Sequence, residues 1–160
     1  MLLFKMLYIP ISDRFFVRLR IALFLAQSQK VTKNLISVVD DDESIRRTTT
    51  FLIESFGFRT AAFESAEGFL NFVEMQDTSC LLVDVQMLGM NGLELQRKLA
   101  VAGFEIPIIF ITAYENKDTR QQAMQAGAVA FLNKPFNDEQ LLQTVLSALS
   151  HDGGSTNSSG

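Results

Sequence analysis

At 160 residues, 48% of them hydrophobic, the chain has room for one ordinary domain with extensions and enough apolar side chains to fill its core. Charge divides it: residues 1–34 carry six Lys or Arg against one acid, +5, whereas residues 35–160 carry eight against seventeen, −9. An acidic globular part argues against nucleic acid as a direct partner, because phosphate contacts need cationic patches. The lone Cys80 has no partner for an internal disulfide and reads as a packed thiol, which fits a reducing, cytoplasmic setting.

Residues 1–34 are apolar and basic but do not read as a membrane span. Lys5, Asp13, Arg14, Arg18 and Arg20 interrupt them, and the longest charge-free run is nine residues, against the ~20 that a span needs. A signal peptide would need a longer apolar stretch than Ile21–Ala26. Three readings stay open: an amphipathic helix packing on the domain or a partner, a membrane-surface anchor through Phe15, Phe16, Leu19 and Leu23, or an unstructured leader.

From Leu35 to Ser150 a short β-rich run, a turn and a helix-period segment recur five times. The predicted strands are Leu35–Val39, Arg59–Phe63, Cys80–Asp84, Pro107–Thr112 and Ala128–Leu132. Their starts lie 21 to 27 residues apart, enough for a crossover helix between parallel strands. Gly57, Gly103 and Gly127 follow the helical segments Ser44–Phe56, Leu93–Ala102 and Asp118–Ala126 as stops. Ser65 suits an N-cap, and Asn137 with Gln140 suits a capping box. Leu141, Leu142, Val145, Leu146 and Leu149 then form an apolar stripe that reads as core. The whole predicts an α/β, doubly wound five-stranded parallel sheet in the order 2-1-3-4-5, with the Arg59–Phe63 run at an edge. Residues 151–160, HDGGSTNSSG, read as a flexible tail.

The polar residues that stand out sit at the carboxyl ends of the predicted strands. Asp40 to Glu43 follow the first, Asp84 ends the third, Thr112 ends the fourth, and Lys134 follows the fifth. Ligands bind beyond those ends, at the switch point between strands one and three, so Asp40, Asp41 and Asp84 should converge there. Asp42 and Glu43 read as helix-capping residues. Two carboxylates ~4 Å apart repel by about 4 kcal/mol at an effective dielectric near 20, which a divalent cation with oxygen ligands would relieve. Lys134 would add positive charge from the other side. Such a set lacks a pair for acyl chemistry but suits phosphoryl transfer to a carboxylate.

The segments VVDDDES, LLVDVQM, GMNGLEL, PIIFITAY and AGAVAFLNKPF, in this order and spacing, resemble the receiver domain of two-component response regulators, and the wording is most similar to the FixJ-type subgroup. The resemblance covers about residues 35–150. It implies that a partner histidine kinase or phosphotransfer protein phosphorylates Asp84. It also implies that Asp41, Asp84 and the Gln86 backbone carbonyl bind Mg²⁺, with Asp40 acting mainly through water. Thr112 would hydrogen-bond the phosphoryl group, Lys134 would pair with it, and Phe131 would be the switch aromatic that turns inward as Thr112 moves. Lys134–Pro135 would be cis.

FixJ-type regulators usually continue into a helix-turn-helix domain, whereas a Gly/Ser tail ends this chain. The expectation is therefore a stand-alone switch signalling through contact with a downstream protein, not an enzyme. The alternatives are a receiver-like interaction module that is never phosphorylated and a receiver fragment without its output domain. A phosphatase or dehalogenase would place a second acid where Gln86 stands, and a flavodoxin-type phosphate loop would not read DDDE. Leu88 stands where a proline is common, which predicts a slightly looser loop after Asp84 and unchanged chemistry.

Overall fold

A computed structural model describes residues 34–114 and 116–151. The readings of residues 1–33 and 152–160 lie outside that range. Five strands, β1 (Leu35–Val39), β2 (Arg59–Phe63), β3 (Thr78–Asp84), β4 (Ile108–Thr112) and β5 (Ala130–Asn133), form one parallel sheet in the order β2-β1-β3-β4-β5. Between and after them run α1 (Glu43–Ser55), α2 (Ala66–Leu70), α3 (Gly92–Val101), α4 (Lys117–Gln125) and α5 (Asp138–His151), with a 3₁₀ turn at Met75–Asp77. The expected strand order is therefore observed.

β1, β3 and β4 are buried on both faces, which is why they read as continuous apolar runs. Alternation sorts their side chains between two cores. Ile36, Val38, Cys80, Leu82, Ile109 and Ile111 share one with Leu141, Leu142 and Val145 of α5 and Ile53 of α1. Val39, Leu81, Val83, Ile108 and Phe110 share the other with Phe69 of α2, Leu95 and Leu99 of α3 and Ala123 of α4. The apolar stripe of α5 is thus core, with Leu146 and Leu149 packed against it. β2 is the exposed edge, and its Arg59 lies 3.8 Å from Glu74.

The chain punctuation works as its chemistry suggests. Asp42 caps α1, its carboxylate accepting from the Ser44 and Ile45 N–H groups; Ser65 accepts from the Gly68 N–H. Asn137 and Gln140 exchange side-chain-to-backbone bonds at 2.9 and 3.0 Å, a complete capping box at the start of α5. Gly57, Gly103 and Gly127 end α1, α3 and α4 at φ +91°, +79° and +94°, where a side chain would be strained.

Four strand boundaries differ from the sequence reading: β4 begins one residue late, at Ile108, β5 ends one residue late, at Asn133, and the starts of β3 and β5 move further. β3 begins at Thr78, because the Thr78 hydroxyl pairs with that of Ser37 across the buried β1–β3 interface at 2.8 Å. β5 begins at Ala130 and not at Ala128, because the Ala128 N–H bonds back to the Ala123 carbonyl of α4. The helix end claims a residue that looks like strand.

Candidate functional site

Register brings the acids together. Val39 of β1 pairs with Val83 of β3, so the next residues along, Asp40 and Asp84, emerge side by side from the carboxyl ends of neighbouring strands. Both are buried, at 2% and 8% exposure. On the far side, Thr112 pairs with Asn133, and the Lys134 N–H donates to the Thr112 carbonyl at 2.7 Å. The Lys134 stem then crosses the end of β4, and its Nζ donates to Asp84 Oδ2 at 2.6 Å and to Asp40 Oδ2 at 2.9 Å.

Lys134 thus brings positive charge from the side away from β1, and its ammonium bonds two of the acids directly. Two buried carboxylates repel, and an ammonium shared by both relieves the repulsion and gives each a charge-assisted hydrogen bond. Burial, the largest influence, pushes the Asp40 carboxyl above its ordinary range, against the pull of the Lys134 and Asp42 hydrogen bonds. For Lys134 burial acts to lower the pKa, but the hydrogen bonds to Asp84 and Asp40 and their charges outweigh it, and the ammonium is held above its usual value.

Main-chain donors fix the remaining oxygens. Asp40 Oδ1 accepts from the Asp42 N–H at 2.9 Å, and Asp84 Oδ1 accepts from the Gln86 N–H at 2.8 Å. Asp41 is more exposed and points across the crevice, where its Oδ2 accepts from the Leu88 N–H at 2.9 Å. The loop expected to be loosened by Leu88 is thus tied at that residue to the β1–α1 turn. Gln86 lies in the same loop, two residues past Asp84.

The side chains of Thr112 and Phe131 flank this centre, while the Thr112 main chain holds Lys134 through its carbonyl. The Thr112 hydroxyl donates to the Tyr114 carbonyl at 3.0 Å and accepts from the Tyr114 N–H at 3.2 Å, which ties it into the β4–α4 loop. The Phe131 ring is half-buried, 5.7 Å from the Phe110 ring, and the Arg120 guanidinium lies 5.7 Å from its centre on α4. The Lys134–Pro135 peptide is cis.

Three further residues shape the site. Arg46, on α1, donates to the Asp40 carbonyl at 2.7 Å. Gly92 opens α3 against the strand end, its N–H donating to the Val85 carbonyl at 3.1 Å. A Cβ there would overlap the Asp84 carbonyl oxygen and stand 3.0 Å from Phe110. Leu88 contributes only its N–H, since its side chain is 84% exposed. Of these, only the Gly-Met-Asn-Gly run carries a sequence signal; an arginine one turn into a helix and a backbone donor carry none.

Among the described residues, no three Asp, Glu, His or Cys side chains stand close enough to cage a metal. The donors present are hard carboxylate oxygens at the carboxyl ends of two neighbouring strands. That set suits Mg²⁺, which keeps several waters and takes only one or two carboxylates from a protein. No helix among the described residues is long and apolar enough to cross a membrane.

Comparison with known proteins gives this geometry its context. Residues 36–146 match the response regulator receiver domain family. Nodulation protein W of Bradyrhizobium diazoefficiens is 44% identical over 121 residues, covering 76% of this chain and 53% of that protein. The transcriptional regulatory protein FixJ of the same organism is 36% identical over 118 residues, covering 74% and 58%. The chain therefore spans about half the length of these curated relatives. A crystal structure of FixJ-N superposes with a TM-score of 0.67 at 35% identity, over 74% of this chain and 94% of that one. With an acid–lysine–acid bridge at the switch point of a 2-1-3-4-5 sheet and a family match across nearly the whole described domain, the chain belongs to the response regulator receiver domains of two-component systems.

Proposed function

We propose that this chain is a phosphoacceptor switch, phosphorylated on Asp84 by a histidine kinase or phosphotransfer protein and read by a downstream protein. The observation that carries the reading is the shared ammonium. Lys134 Nζ bonds Asp84 and Asp40 at the end of buried strands, so a phosphoryl group arriving at Asp84 would meet a fixed positive charge. In the transfer, an Asp84 carboxylate oxygen attacks phosphorus and forms an acyl phosphate. The phosphorus–nitrogen bond of the donor phosphohistidine breaks, and its electron pair returns to the imidazole.

Asp41, Asp84 and the Gln86 carbonyl would hold Mg²⁺, with Asp40 reaching it through water; the bound ion supplies charge neutralisation for the phosphoryl oxygens. Lys134, already at the acceptor oxygen, pairs with the charge the new group adds. The Thr112 hydroxyl exchanges its Tyr114 partners for a phosphoryl oxygen, and Phe131 moves into the space thereby vacated. Phosphorylation biases a choice between two packings, as in other two-state switches. The chain is a substrate and relay in this scheme, acting in the cytoplasm, and does not turn over a small-molecule substrate.

The test is exposure to acetyl phosphate with Mg²⁺, followed by intact-mass measurement. The expected result is a gain of one phosphoryl group that disappears in Asp84→Asn. Equal gain by Asp84→Asn, or none by the unchanged chain, refutes the proposal.

A further inference from the structure

Leu88 makes one inward contact, and it is a main-chain contact. Its N–H donates to Asp41 Oδ2 at 2.9 Å, joining residues 47 apart across the crevice between β1 and β3. Leu88 is 84% exposed, so burial of its side chain does little to fix residue 88. The loop around it is anchored separately: Met87 and Met90 pack against the core, and the Gly92 N–H bonds to the Val85 carbonyl. The Leu88 N–H is therefore held by the loop and aimed at an otherwise exposed carboxylate. Asp40 and Asp84 have their carboxylates fixed by Lys134 and by N–H groups two residues on. For Asp41 the Leu88 N–H does that work from a different loop.

We infer that the Leu88 backbone N–H is a positioning group for Asp41, orienting its carboxylate for divalent-cation binding. It occupies Oδ2 and leaves the other carboxylate oxygen for the ion. This rests on the reading of Asp41 as a metal ligand. A carboxylate held this way has lost its rotamer freedom before the ion arrives, so binding no longer has to order it. Proline at position 88 has no N–H and cannot make the bond. A receiver with proline at this position binds the ion without the tether, and a residue with an N–H at position 88 tightens binding.

The experiment is Mg²⁺ titration by calorimetry without any phosphodonor, on the unchanged chain, Leu88→Ala and Leu88→Pro. Leu88→Ala keeps the donor and binds with the same Kd within about twofold. Leu88→Pro weakens binding about tenfold, the lower end of what losing an outer partner of a metal ligand costs. In an Asp41→Ala background, Leu88→Pro has no further effect. A chain in which the Met87–Leu88 amide is replaced by an ester lacks only the N–H and shows the same weakening, so the result does not depend on how well proline is accommodated. If Leu88→Pro and the ester bind Mg²⁺ as tightly as the unchanged chain, the tether is refuted while the metal site stands. If the unchanged chain takes up no Mg²⁺, the metal reading falls and the tether with it.

Discussion

Replacing Lys134 with methionine removes the charge that Asp40 and Asp84 share and keeps most of the apolar stem. The ammonium lies 2.6 Å from Asp84 Oδ2 and 2.9 Å from Asp40 Oδ2. At an effective dielectric near 20, each attraction has a gross value of about 6 kcal/mol, most of it offset by the cost of taking the lysine out of water. What the variant exposes is the mutual repulsion of two buried carboxylates. Orphaning a buried ion-pair partner costs roughly 3–5 kcal/mol; with the lysine side chain 14% exposed, the lower end applies. A loss of about 3 kcal/mol corresponds to a drop in Tm of about 12 °C for a domain of this size. Urea unfolding with a chelator present, followed by circular dichroism, measures the loss. The sign of its pH dependence follows from Asp40. Burial raises its folded pKa, so its contribution to stability is present at low pH and lost as pH rises through that value. Without Lys134 one of the forces lowering that pKa is gone, so the deficit is largest where both carboxyls are ionised and narrows as the pH falls. Added Mg²⁺ stabilises the variant more than the unchanged protein. A deficit below about 1 kcal/mol, or one that grows as the pH falls, would refute the claim that Lys134 relieves repulsion between these two acids.

Two further outcomes follow from packing. Gly92→Ala places a methyl group against the Asp84 carbonyl and Phe110, and it lowers unfolding stability by about 2 kcal/mol, within the range for overpacking; an unchanged urea midpoint would contradict the close approach of α3 to the strand end. Cys80 is fully buried and its thiol is pushed up to about 12 by burial. It therefore resists a disulfide reagent at pH 8 until the chain is unfolded, and prompt labelling of the native protein would contradict its place in the core.

The fold was legible where the pattern is local. Two-sided burial leaves runs such as LISVV and CLLVD, and glycines at positive φ mark the helix ends. Errors fell where a neighbour in space decides. Thr78 falls outside the predicted strand until Ser37 is seen beside it, and Ala128 reads as strand until α4 takes its N–H. The strand-end acids and Lys134 could be identified because charges at the ends of apolar strands are conspicuous. Their arrangement could not, because sequence does not say whether a lysine faces an acid pair or sits within it. Leu88 was least legible. Sequence reading weighs side chains, and its contact is a backbone N–H directed at a carboxylate 47 positions earlier.

Mapping the phosphoryl group itself tests the central claim most directly. The chain is phosphorylated with acetyl phosphate and Mg²⁺, the acyl phosphate is reduced with borohydride, and the peptides are sequenced by mass spectrometry. The reduction converts a phosphorylated aspartate to homoserine. Homoserine is expected at position 84 and nowhere else, and none forms when Mg²⁺ is chelated. Homoserine at position 40 or 41, or a modified residue that persists in Asp84→Asn, would contradict it.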